Sequence, residues 1–99
     1  MDKFTKQVLD RTVKDLTHNC QIDANKGSVL CSDKYGSKIW LNENGTYSTL
    51  LVLGKFEADR GKFAQNDYRK LVENLDILDR SGQIRELFDR LQTLSDKHF

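Results

Sequence analysis

Ser37-Lys38-Ile39-Trp40-Leu41-Asn42-Glu43-Asn44-Gly45-Thr46-Tyr47-Ser48-Thr49-Leu50-Leu51-Val52-Leu53 is the stretch whose reading decides the fold. Two runs of β-formers flank Asn44-Gly45, and Asn-Gly between such runs is the strongest short-range hairpin signal. Strand faces alternate, so Lys38 and Trp40 are expected together, opposite Ile39 and Leu41. The second strand is expected from Thr46 to about Phe56. It begins by alternating and becomes apolar on both faces at Leu50-Leu51-Val52-Leu53, as a central strand covered on two sides or joined to a partner would.

Working back from this hairpin, Asp33-Lys34-Tyr35-Gly36 reads as a turn and Ser28-Val29-Leu30-Cys31 as a strand. Cys20, Ile22 and Ala24 alternate with polar neighbours before Asn25-Lys26-Gly27 breaks the run, which predicts a first hairpin. Its register has two solutions. A three-residue loop with Gly27 in the left-handed position pairs Ile22 with Leu30, whereas a two-residue loop places Cys20, Ile22, Ala24, Val29 and Cys31 on one face. Earlier still, Phe4, Val8, Leu9, Val13 and Leu16 form the stripe of a helix from about Asp2 to Thr17. Its solvated face carries an Asp10/Lys14 pair four residues apart.

Working forward, residues 54–67 mix charge with Phe56, Ala58 and Phe63 and read as a loop. Ala64, Tyr68, Leu71, Val72, Leu75 and Leu78 then form one helical stripe, and Ile84, Leu87, Phe88, Leu91 and Leu94 another. The two are out of phase, and a turn at Arg80-Ser81-Gly82, with Ser81 capping the second helix, restores the phase. The expected architecture is therefore one α+β domain over residues 1–99. It has an N-terminal helix, a four-stranded antiparallel β-meander and two C-terminal helices packed on one face of the sheet. This order resembles that of double-stranded-RNA-binding domains. The basic cluster that family places at the start of its second helix is absent at Gln65-Asn66-Asp67-Tyr68, so the resemblance implies topology and no function.

Ninety-nine residues leave room for one core, and 37% hydrophobic residues suffice for it without metal or disulfide staples. Sixteen Lys and Arg against fifteen Asp and Glu argue against both a polybasic nucleic-acid binder and an acidic DNA mimic. The distribution says more than the sum: residues 24–70 carry a charge of +3, and residues 71–99 carry −2. No signal-peptide pattern and no apolar run approaching a membrane span occurs, so a soluble, cytoplasmic protein without membrane association is expected. In that setting Cys20 and Cys31 are expected as reduced thiols.

Chemistry-bearing motifs are sparse. His18, Cys20, Cys31 and His98 are the only soft-metal ligands, without a CxxC or HxxxH pair to start a site, and neither metal nor cofactor is expected. Cys20 beside His18 is too short a pairing to aim at one substrate. Asp76 and Asp79 have the types of an acid/base pair but also fit an ordinary polar helix face. The glycines form no phosphate-binding pattern.

The reading that follows is a small non-enzymatic protein-binding module (an inhibitor, adaptor or regulatory subunit) acting through a surface on another protein. Its candidate interface comprises Lys34, Tyr35, Lys38, Trp40 and Tyr47, since aromatic and cationic groups make interface hot spots. A homodimer through the a/d-like seam of Ile84, Leu87, Leu91 and Leu94 is a further possibility. The alternative is nucleic-acid binding through Lys38, Trp40, Lys55, Arg60 and Lys62, because cations interleaved with aromatic faces also suit single strands.

Overall fold

A computed structural model describes residues 1–52 and 61–98, with side chains over 1–52 and 69–95. The elements are α1 (Lys3–Asn19), β1 (Gln21–Asn25), β2 (Ser28–Ser32), β3 (Lys38–Asn42), β4 (Tyr47–Leu50), α2 (Gly61–Arg80) and α3 (Ile84–His98). The strands form one antiparallel sheet in the order β1-β2-β3-β4, a meander as expected.

Asp2 starts α1 by accepting the Thr5 N–H at 2.6 Å, the N-cap bond that satisfies an otherwise orphaned donor. Hydrogen bonds from the Thr5 backbone and hydroxyl hold the Asp2 carboxyl below its ordinary range. The buried stripe of α1 is Thr5, Val8, Leu9, Thr12, Val13 and Leu16, so Phe4 is not part of the core and is 61% exposed. At 3.6 residues per turn, Phe4 stands roughly 110° around the helix from the centre of that stripe. Thr12 is tolerated at full burial because its hydroxyl donates to the Val8 carbonyl at 2.8 Å. Phe4→Ser should accordingly change stability by no more than about 0.5 kcal/mol, read by urea denaturation. A loss of several kcal/mol would put Phe4 back in the core.

Asp10 does not pair with Lys14. Its carboxylate accepts from Arg90 Nη1 at 2.6 Å, tying α1 to α3, while Arg11 and Asp15 make the nearby ion pair four residues apart at 3.9 Å. Both pairs are solvent-exposed enough to add little stability.

The first hairpin takes the two-residue loop: Asn25 pairs with Ser28, Ala24 with Val29 and Ile22 with Cys31. Gly27 supplies the positive φ of 84° that the turn needs. Val29, Cys31, Ile39 and Leu41 are buried on one side of the sheet, with Ile22 and Ala24 packed against them. The strand after Asn44-Gly45 runs from Tyr47 to Leu50 and does not include residues 51–52; the rest of the expected strand, from Leu53 to about Phe56, lies outside the described residues. Its partner β3 begins at Lys38, which pairs with Leu50. Beyond that point Ser37 Oγ accepts the Val52 N–H at 2.9 Å instead of a ladder carbonyl.

Helix α2 already includes residues 61–67 of the loop expected from the sequence; the rest of that loop, residues 54–60, lies outside the described residues. Two C-terminal helices are present, separated at Ser81-Gly82. Gln83 N–H bonds to Leu78 O at 2.7 Å and Gly82 N–H to Asp79 O at 3.1 Å, with Gly82 at φ 71°. This is a Schellman ending of α2. Ser81 does not cap α3, because its hydroxyl donates back to Ile77 O at 2.8 Å. The residue whose carbonyl opens α3 is Gln83, which accepts the Leu87 N–H at 3.0 Å.

Helix α3 lies across β1, β2 and β3, while α1 packs on α2, α3 and β1. Leu71, Leu75 and Leu78 of α2 and Ile84, Leu87, Phe88 and Leu91 of α3 complete the core with α1 and the inner sheet face. Ile84, Leu87 and Leu91 are at most 1% exposed, and Leu94 packs against the same cluster. The seam considered for a homodimer is therefore used inside the chain. Among the described residues, no helix is long and apolar enough to cross a membrane.

Candidate functional site

With the helices on one side, the opposite face of the sheet carries the alternate residues of each strand. The registers align them in rows: Asp23, Leu30, Trp40 and Ser48 form one, and Gln21, Ser32, Lys38 and Leu50 its neighbour. Lys38 and Trp40 share this face as the alternation predicts, while Ile39 and Leu41 turn into the core. Asp33 N–H donates to Ser37 O at 3.0 Å, and alternation from that bond makes Leu30 and Trp40 a non-hydrogen-bonded pair. Side chains approach most closely in such pairs, so the indole and the Leu30 side chain are direct neighbours. Leu50 extends the apolar group and is 51% exposed.

Lys34 and Tyr35 lie in the turn that joins β2 to β3, at the Lys38 end of the face. The Asp33 carboxylate organises this turn by accepting N–H bonds from Tyr35 at 2.8 Å and Ser37 at 3.0 Å. Gly36 completes it at φ 92°, where an added Cβ would come to 3.5 Å from Val52 Cγ2. Lys34 Nζ stands 5.1 Å from the Tyr35 ring centroid, within cation–π range.

Tyr47 does not join this group. It pairs with Leu41 and packs against the core from the helix side, half-buried. Burial, reinforced by the carboxylates of Asp79 and Asp76 on α2, pushes its phenol above the ordinary value. Lys55 and Arg60 fall outside the described residues, as does the side chain of Lys62. Of the residues singled out from sequence, the structure thus brings together Lys38 and Trp40, with Lys34 and Tyr35 at one end. Sequence reasoning did not include Leu30 and Leu50. The signal for Leu30 lay in the choice of hairpin loop, since only the two-residue register turns it to the Trp40 side.

Elsewhere, Asp76 is engaged by Arg80 at 3.1 Å. Cys20 and Cys31 are both thiols, half-buried and buried. Among the described residues, no three His, Cys, Asp or Glu side chains converge as metal ligands. A shallow depression lies between Gly27, Asn42, Glu43, Asn44 and Arg85, where both hairpin turns meet the start of α3. Its one cation, Arg85, is already turned to the Glu43 carbonyl at 3.1 Å and to Asp89 at 3.4 Å.

Comparison with known proteins returns no match: no family model fits the chain, no curated protein is similar to it, and no solved structure matches it.

Proposed function

We propose that this chain is a small non-enzymatic protein-binding module whose working surface is the open sheet face centred on Trp40. The observation that supports this reading is the cluster of Leu30, Trp40 and Leu50 beside Lys38, on the face turned away from the helices. The core is complete without these side chains, which frees them for contact with a partner. A partly buried tryptophan flanked by aliphatic groups and one cation has the composition of an interface hot spot, where a few such residues dominate affinity. The backing is rigid as well, since β3 is paired on both sides and α3 lies behind it. Inhibitors, adaptors and regulatory subunits all work through surfaces of this kind.

The test is capture of partners from the source cell with and without nuclease, comparing wild type with Trp40→Ala. The expected result is a nuclease-resistant protein partner whose affinity falls by at least about 30-fold in the variant, the equivalent of about 2 kcal/mol. Stability should drop by only about 1 kcal/mol, because what is lost in the free protein is a cross-strand pair and not a core side chain. Intact binding combined with a loss of several kcal/mol of stability would make Trp40 a folding residue and remove the anchor of the interface. Binding that disappears with nuclease and weakens steeply with salt would instead support the nucleic-acid alternative through Lys38 and Trp40.

A further inference from the structure

Strand β4 forms one border of the sheet, and its backbone bonds show which of its groups face outward. Asn42 N–H donates to Thr46 O at 2.9 Å. Continuing that alternation through the β3-β4 register, Ser48 and Leu50 direct their backbone groups to Trp40 and Lys38. Val52 keeps to the same side through its N–H bond to Ser37 Oγ. The backbone groups of Tyr47, Thr49 and Leu51 therefore point to the free border, where no described strand pairs with them.

Natural edge strands are guarded against association by lysine, proline, bulges or a covering element. This one has no such guard in its sequence: from Asn44 to Gly54 there is neither a charged residue nor a proline. Helix α3 reaches β1, β2 and β3, and among the described residues Thr49 stands exposed beyond it. The opposite border is different. The groups of β1 that point outward belong to Ile22 and Ala24, with exposed Asp23 between them. A two-fold pairing there would set Asp23 against its own copy.

We propose that the free border of β4 pairs antiparallel with the same border of a second copy of this chain, about a two-fold axis at Thr49, to make a continuous eight-stranded sheet. That axis lays the whole stretch 46–52 against itself. Thr49 faces Thr49, Tyr47 faces Leu51, and Ser48 faces Leu50 of the other copy. Threonine pairs and aromatic–aliphatic pairs are favourable across strands, and no like charges meet. The absence of charge favours a second copy over a foreign strand, because a two-fold axis brings any charge close to it against its own image. The pairing rests on the backbone of β4 and stands independently of the Trp40 reading.

Sedimentation velocity across a concentration series, with backbone amide exchange followed by NMR, tests it. Wild type should show a monomer–dimer equilibrium. The amides of Tyr47, Thr49 and Leu51 should gain protection as dimer forms, whereas those of Ser48 and Leu50 are protected throughout. Thr49→Lys should raise the dissociation constant about tenfold by setting two ammonium groups at the axis. Mixing it with Thr49→Glu should restore association as a heterodimer. The circular dichroism of both variants should match wild type, since Thr49 is exposed and its N–H serves no bond among the described residues. A strict monomer at millimolar concentration overturns the pairing. So does a dimer indifferent to Thr49→Lys, or one that leaves the three amides unprotected. Protection of those amides only by a foreign extended peptide would give the border another occupant and likewise overturn it.

Discussion

Replacing Phe88 with alanine is expected to remove about 3–5 kcal/mol of stability, the range for deleting a buried aromatic side chain. Among the described residues, Phe88 is the largest fully buried side chain and is only 2% exposed. It sits on α3, the helix that joins β1, β2 and β3 to α1 and α2, so the resulting cavity opens where all layers meet. A domain of this size has roughly 5–15 kcal/mol in total. Each kcal/mol lost lowers Tm by roughly 4–8 °C, and the variant should be substantially unfolded near body temperature. Urea denaturation and thermal melts read the effect, with Leu94→Ala on the same helix as the comparison. Leu94 is only partly buried at the margin of the cluster and should cost clearly less. A Phe88→Ala loss under about 1 kcal/mol would mean that α3 does not carry the core as described.

The second large effect is alkaline. Burial, and secondarily the neighbouring Cys20, pushes the Cys31 thiol from its ordinary 9.0 up to about 12. Above pH 9 the unfolded chain releases a proton that the folded chain keeps, so the unfolded state is favoured as pH rises. The stability tied to this thiol is complete below pH 9.0 and is lost progressively towards pH 12. The loss is about 1.4 kcal/mol per pH unit, on the order of 4 kcal/mol across the window. Tyr47 contributes in the same direction, which makes the variant comparison decisive. Under reducing conditions, stability measured from about pH 8 to about pH 11 should fall more steeply in wild type than in Cys31→Ala, whatever the variant loses in packing at neutral pH. Parallel curves would show that the thiol is not held neutral by its surroundings.

Functional expectations divide by the range of the forces behind them. Strand alternation alone, which any extended chain obeys, places Lys38 and Trp40 on one face. Tyr47 is aromatic and near them in sequence, yet the β3-β4 register sets it opposite Leu41 on the core side. A register is a property of two strands together, and one residue of slip exchanges the faces. Leu30 illustrates the same point, since two loop lengths suited its hairpin and each sent it to a different side. Phe4 departs from its expected place in the core for another reason. Its spacing to Val8 fits a stripe, but Thr5 and Thr12 hold the buried positions because their hydroxyls find bonds within the helix and its cap.

By itself the sequence determined what local chemistry and periodicity control. That covers one α+β domain, four strands between an N-terminal and two C-terminal helices, the Asn44-Gly45 turn, and the break between the last helices where Gly82 takes φ 71°. The tertiary structure alone decided which surfaces remain available. The seam of Ile84, Leu87 and Leu91 is closed because α3 must cover the sheet, and the Trp40 face is open because no described helix lies on that side. An amphipathic stripe states that it needs burial but not against what. That choice is made by competition among all the apolar faces of one chain, and it leaves as surface whatever the single core does not need.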